Sequence, residues 1–124
     1  MNNNIIHKEL SDHIIGLAYT VHYTLGPGLL EGAYEAALCW ELKHAGVAFE
    51  RQKKYPLQYK GDCISSYFAD LVVDGKIILE LKAVKELDVN MEAQLINYLR
   101  LSRIAVGYLI NFKNIRLNWR RYVV

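Results

Sequence analysis

The stretch Ile77-Ile78-Leu79-Glu80-Leu81-Lys82-Ala83-Val84 constrains the fold of this chain more than any other. It is apolar enough to read as a buried strand, and a buried strand ordinarily excludes charge because an unpaired ion there costs several kcal/mol. Yet Glu80 and Lys82 stand in it at alternate positions. Alternate strand residues project to the same side, so these two project together while Ile77, Leu79 and Leu81 project to the other face. Asp74-Gly75, just upstream, is a strong hairpin signal, and Asp70 lies on the strand that enters it. Two carboxylates and a lysine gathered on buried strands make a divalent-metal site with an adjacent cation. That is the chemistry of phosphodiester hydrolysis.

The remaining pattern supplies the frame. Apolar residues Ile14, Leu17, Ala18, Val21 and Leu25 fall at helical spacing and predict one helix from about Ile5 to Leu25, ended by Gly26-Pro27-Gly28. A second helix is expected from Leu30 to His44, stopped by Gly46. Ala48 to Tyr59 and Ser65 to Val73 read as strands joined by a turn at Lys60-Gly61-Asp62, with the next strand over Lys76 to Val84. Asp88 or Asn90 is suited to cap a third helix that reaches Ser102 and carries Met91, Leu95, Tyr98 and Leu99. Ile104 to Ile110 is a continuous apolar run, the mark of a strand covered on both faces, and Ile115 to Val123 completes the series. The expected class is α/β, in the order α-α-β-β-β-α-β-β.

With 124 residues, the chain is read as one domain over positions 1–124. A hydrophobic content of 52% with 23% charged residues excludes a disordered chain. No apolar run approaches the roughly 18 residues of a membrane span, and Met1 to Lys8 lacks the layout of a signal peptide. Cys39 and Cys63 have no zinc or CxxC spacing and are expected to be reduced thiols in a cytoplasmic protein. A net charge of +2 does not by itself favour nucleic acid, and the basic groups Arg51, Lys53, Lys54 and Arg116, Arg120, Arg121 decide nothing alone. His7, His13, His22 and His44 show no i, i+4 pairing, which argues against a zinc hydrolase. No phosphate-loop, dinucleotide-binding or GxSxG pattern is present.

Hard oxygen ligands suit Mg2+ or Mn2+. Asp70 and Glu80 fit the ligand role, the Leu81 carbonyl would add a neutral ligand, and Lys82 fits a cation that stabilises developing negative charge. Asp-x9-Glu-x-Lys alone is weak; its weight comes from the hairpin context. Parity provides a test. A two-residue Asp74-Gly75 loop would set Asp70 opposite Leu79 and turn the two carboxylates to opposite faces. A shared metal requires an odd loop, such as Asp74-Gly75-Lys76, or a bulge.

At these residues the chain resembles the PD-(D/E)xK nuclease superfamily. Gly28-Leu29-Leu30-Glu31-Gly32-Ala33-Tyr34 is similar to the GxxExxY signature of a group of small proteins within it. Ala69 to Val73, Ile78 to Ala83 and Glu92 to Tyr98 resemble that group's other blocks. The resemblance implies a restriction-endonuclease-like core with a mixed central sheet flanked by helices, and metal-dependent hydrolysis of DNA or RNA. It implies Glu31 as an additional metal-binding acid, Asp70, Glu80 and Lys82 as the catalytic core, and Gln94 and Tyr98 as a Gln-x-x-x-Tyr element from the following helix. Ala69 departs from the proline of the superfamily's name, which leaves the ligand chemistry intact.

Plainer roles stand beside these. Glu31 suits the first turn of any helix, Tyr98 suits a core, Gln94 suits a hydrogen bond to a strand, and Tyr34 either orients Glu31 or simply packs. The rival function is a catalytically silent nucleic-acid-binding or protein-interaction module that retains the fold. A site for a small phosphorylated ligand is disfavoured by the lack of a glycine-rich loop. Paired domains would suit cutting of two strands, so a homodimer remains open.

Overall fold

The computed structural model describes residues 5–124; Met1 to Asn4, half of the segment read for a signal peptide, lie outside the described residues. Helix α1 (Lys8–Leu25) buries Ile14, Ala18 and Val21 of the expected stripe together with Ile15, with Leu17 partly buried and Leu25 exposed. It starts three residues later than the pattern predicts, because His7 is left-handed at φ 54° and cannot continue a helix. Helix α2 (Glu31–His44) buries Tyr34, Leu38 and Leu42 on one face. The Tyr34 hydroxyl donates to the Gly26 carbonyl at 2.7 Å and accepts from the Leu29 N–H at 3.2 Å, and its ring stacks on Phe112 at 4.6 Å. Tyr34 therefore shapes the α1–α2 turn from inside the core.

Strands β1 (Phe49–Tyr59) and β2 (Asp62–Val73) form a long antiparallel hairpin. Pairing of Tyr59 with Asp62 leaves only Lys60 and Gly61 in the turn, at φ 49° and 89°. That is the twist-matched two-residue loop that hairpins favour, and it starts β2 three residues before the expected Ser65. Strand β3 (Ile77–Lys82) pairs antiparallel with β2 and parallel with β4 (Val106–Asn111), and helix α3 (Val89–Ser102) makes the crossover. The Asp88 carboxylate accepts from the Met91 N–H at 2.9 Å, so Asp88 rather than Asn90 caps α3. Strand β5 (Asn118–Val123) closes the edge; Ile115 to Leu117 were expected in it, but β4 ends at the Asn111–Asn118 pair and offers them no partner.

The sheet order is β1-β2-β3-β4-β5, a mixed sheet in the element order read from the sequence. Ile77, Leu79 and Leu81 pack with α1 and α2 on one face, whereas Ile78 packs with Leu95 and Leu99 of α3 on the other. Gly107 lets α3 sit close on β4: a methyl there would lie 3.0 Å from both Leu95 and Leu99 side chains. Among the described residues no helix is long and apolar enough to cross a membrane.

Candidate active site

The β2–β3 loop is the odd one. Val73 pairs with Ile77 and Leu71 with Leu79, leaving Asp74-Gly75-Lys76 as a three-residue turn with Asp74 and Gly75 at φ 52° and 64°. Asp70 is thereby brought level with Glu80, the parity a shared site requires. The ladder stops at Leu71–Leu79. Beyond it β2 stays with β1, and β3 stays with β4 through Lys82–Asn111. In this fork the acids replace the lost cross-strand bonds: Glu80 Oε2 accepts from the Asp70 N–H at 3.0 Å, and Asp70 Oδ2 accepts from the Leu81 N–H at 2.8 Å. A strand residue points its N–H and C=O to the same edge, so the Leu81 carbonyl faces the fork as well.

A third acid comes from α2. Glu35 is buried, accepts from Arg51 Nε at 2.6 Å and from Gln52 Nε2 at 3.0 Å, and the same Gln52 amide reaches Asp70 Oδ1 at 3.3 Å. Gln52 stands in β1 at φ 51°, a left-handed conformation that costs a non-glycine residue about 1 kcal/mol or more. The surrounding structure thus holds it strained against the site. Sequence reasoning missed Glu35 and Gln52. Glu31-x3-Glu35 was a legible signal, since residues four apart share a helical face; for Gln52 there was none.

Glu31, one turn before Glu35, is exposed and accepts from the Ala83 N–H at 3.3 Å, just past Lys82. Asn111, fully buried, bonds both the N–H and the carbonyl of Val84 and fixes the chain as it leaves β3. Lys82 is half-buried and makes no ion pair among the described residues, but its charge favours the ionised forms of Asp70 and Glu80. Gln94 and Tyr98 do share a face of α3. Gln94 makes no hydrogen bond to either carboxylate among the described residues and instead lines an open cavity. Tyr98 is half-buried and stacks on Tyr67 at 4.0 Å.

Burial, followed by the neighbouring Asp70 charge, pushes the Glu80 carboxyl up to about 8. Asp70 is also raised, first by burial and then by Glu35, against the opposing Leu81 N–H, Gln52 and Lys82. The Tyr98 hydroxyl is raised by burial and by the charges of Glu80 and Asp70, which places it within their field. Among the described residues no three acids, histidines or cysteines are already arranged around one point. The donor chemistry nevertheless fits a hard divalent cation: Asp70, Glu80 and the Leu81 carbonyl supply oxygen, and a cation would relieve the repulsion that burial imposes on the two acids. Two further carboxylates come from α2: Glu31 on the Ala83 N–H, and Glu35, whose charge reaches both Asp70 and Glu80.

A mixed sheet flanked by helices and forked around buried acids defines a nuclease-like α/β domain. The crystal structure of SSO0001 shares the fold, with a TM-score of 0.55 and 21% identity over 72% of this chain, which spans only 47% of that protein's length. The model of the PD-(D/E)XK nuclease superfamily matches residues 8–122, and the chain belongs to that superfamily. No curated protein matches it in sequence.

Proposed function

We propose that this protein is a divalent-metal-dependent nuclease that hydrolyses phosphodiester bonds of DNA or RNA, and that it stands in the GxxExxY group of its superfamily. Superfamily membership points to nuclease-type function. The observation that carries the reading is the fork, where Asp70 and Glu80 meet beside Lys82 as β2 and β3 part.

Asp70, Glu80 and the Leu81 carbonyl would hold Mg2+ or Mn2+, with Glu31 reaching in from α2. The bound ion would polarise a phosphoryl oxygen and acidify water. The protein's own residues do the rest. Gln52, tied to Glu35, holds the Asp70 carboxylate in one orientation. Lys82, free of ion pairs among the described residues, offers its ammonium to the charge that develops on phosphate. Tyr98 approaches from α3 and Gln94 stands one turn before it. Working in the cytoplasm would suit the two free thiols, Cys39 and Cys63.

One observation favours the rival binding module: the two carboxylates already satisfy backbone N–H groups, and so hold the fork without a metal. Calorimetric titration of Mg2+ or Mn2+ into wild type and Asp70→Ala, beside single-turnover cleavage of labelled single- and double-stranded DNA and RNA, separates the two. A nuclease binds the ion through Asp70 and cuts at least one substrate. Binding of nucleic acid with no cleavage and no Asp70-dependent metal uptake establishes the module.

A further inference from the structure

A cavity of about 590 Å³ lies between α3 and the β1–β2 hairpin, inside the roughly 300–1,000 Å³ range of small-ligand clefts. Its walls are unlike those of a phosphate groove. Tyr67 and Tyr98 provide aromatic surface, and Asn90, Gln94 and Asn97 provide three carboxamides from consecutive turns of α3. Among the described residues Arg100 is the one charged side chain that lines it.

The aromatic wall is held in place. Tyr55, Tyr67 and Tyr98 form a continuous stack across β1, β2 and α3, with centroids 5.2 Å and 4.0 Å apart. The Tyr67 hydroxyl donates to the Tyr98 carbonyl at 2.9 Å, locking the strand to the helix. Such a surface needs little ordering on binding, which favours a flat aromatic ligand. A carboxamide both donates and accepts, and so matches the mixed edge of a nucleobase. Tyr67 of this wall stands on β2, the strand that carries Asp70, so the cavity adjoins the forked site.

We infer that this cavity takes an unpaired nucleobase of the strand lying across the fork, stacked on Tyr98 at the end of the Tyr55–Tyr67–Tyr98 column, read by the α3 carboxamides and flanked by Arg100 for a phosphate. In a duplex the base faces are stacked and the pairing edges are occupied, so a paired base cannot enter. The substrate class is therefore single-stranded nucleic acid or an unpaired end. The inference rests on the nuclease reading for the identity of the ligand, but its test is binding rather than cleavage.

Ala93 is exposed on α3 and lines the cavity, so Ala93→Phe fills it without altering charge; Asn97→Phe, also at an exposed position, fills it from the next turn. Short DNA and RNA oligonucleotides carrying 2-aminopurine are titrated in EDTA as single strands and as duplexes, with circular dichroism to confirm folding. Wild type should quench 2-aminopurine emission and prefer the single strand, and filling should weaken that binding about tenfold to a hundredfold, the worth of one stacked base, with duplex binding unchanged. DNA and RNA arms show which sugar is favoured. Equal affinity of wild type and both filled variants, or a preference for duplex, overturns the inference. Quenching and single-strand preference in a protein that cuts nothing would uphold the base site and remove the nuclease reading; cleavage of duplex with no quenching would do the reverse.

Discussion

Replacing Glu80 by glutamine should stabilise the metal-free protein, and the gain can be worked from the fork. Glu80 is 6% exposed and its carboxyl is raised from 4.5 to about 8. A folded pKa above the unfolded one means that folding favours the protonated acid. The contribution is complete below pH 4.5 and is lost as pH rises toward 8. At about 1.4 kcal/mol per pH unit, the loss at pH 7 is roughly 3 kcal/mol. Glutamine stays neutral across this window, and its amide oxygen can still accept the Asp70 N–H that Glu80 holds at 3.0 Å. Glu80→Gln should therefore match wild type near pH 4.5 and exceed it by about 3 kcal/mol at pH 7. Urea unfolding in EDTA, followed by the fluorescence of Trp40 and Trp119, measures this across the range. Added Mn2+ should then stabilise wild type and leave the variant nearly unchanged. A variant less stable than wild type at pH 7, or a difference that does not grow with pH, would show that Glu80 is held as an ionised structural partner and would refute the argument.

Lys82→Ala should slow single-turnover cleavage by a few orders of magnitude with only a modest change in metal affinity; if the change merely weakens nucleic-acid binding and lowers its salt dependence by about one phosphate contact, the binding module is correct. Gln52→Gly relieves the left-handed strain at φ 51° but removes the amide that ties Asp70 to Glu35. These effects, each about 1 kcal/mol, should nearly cancel in urea unfolding while cleavage falls, so a large stability loss would disprove the strain account. Asp88→Ala removes the α3 cap and should cost about 1 kcal/mol in thermal or urea unfolding without moving metal affinity.

The amino-acid pattern alone determined the element order, the buried character of β3, and the pairing of Glu80 with Lys82 along it, because alternation and helical spacing are local properties that survive without knowledge of neighbours. It also limited the β2–β3 connection to an odd loop or a bulge if Asp70 and Glu80 were to meet. Element ends were less legible. Asp62 enters β2 because Tyr59 lies across from it, and Ile115 to Leu117 stay outside β5 because β4 has no residue left to pair with them. Only the tertiary structure decided that the β2–β3 ladder would break after Leu71–Leu79, so that carboxylates take over the backbone bonds there. Glu35, Gln52 and the tyrosine stack were equally hidden, for they are brought together from segments 12 to 31 residues apart. Gln52 carries no marker in sequence, since its role depends on a backbone conformation that glutamine adopts only when its neighbours on β2 and α2 hold it there.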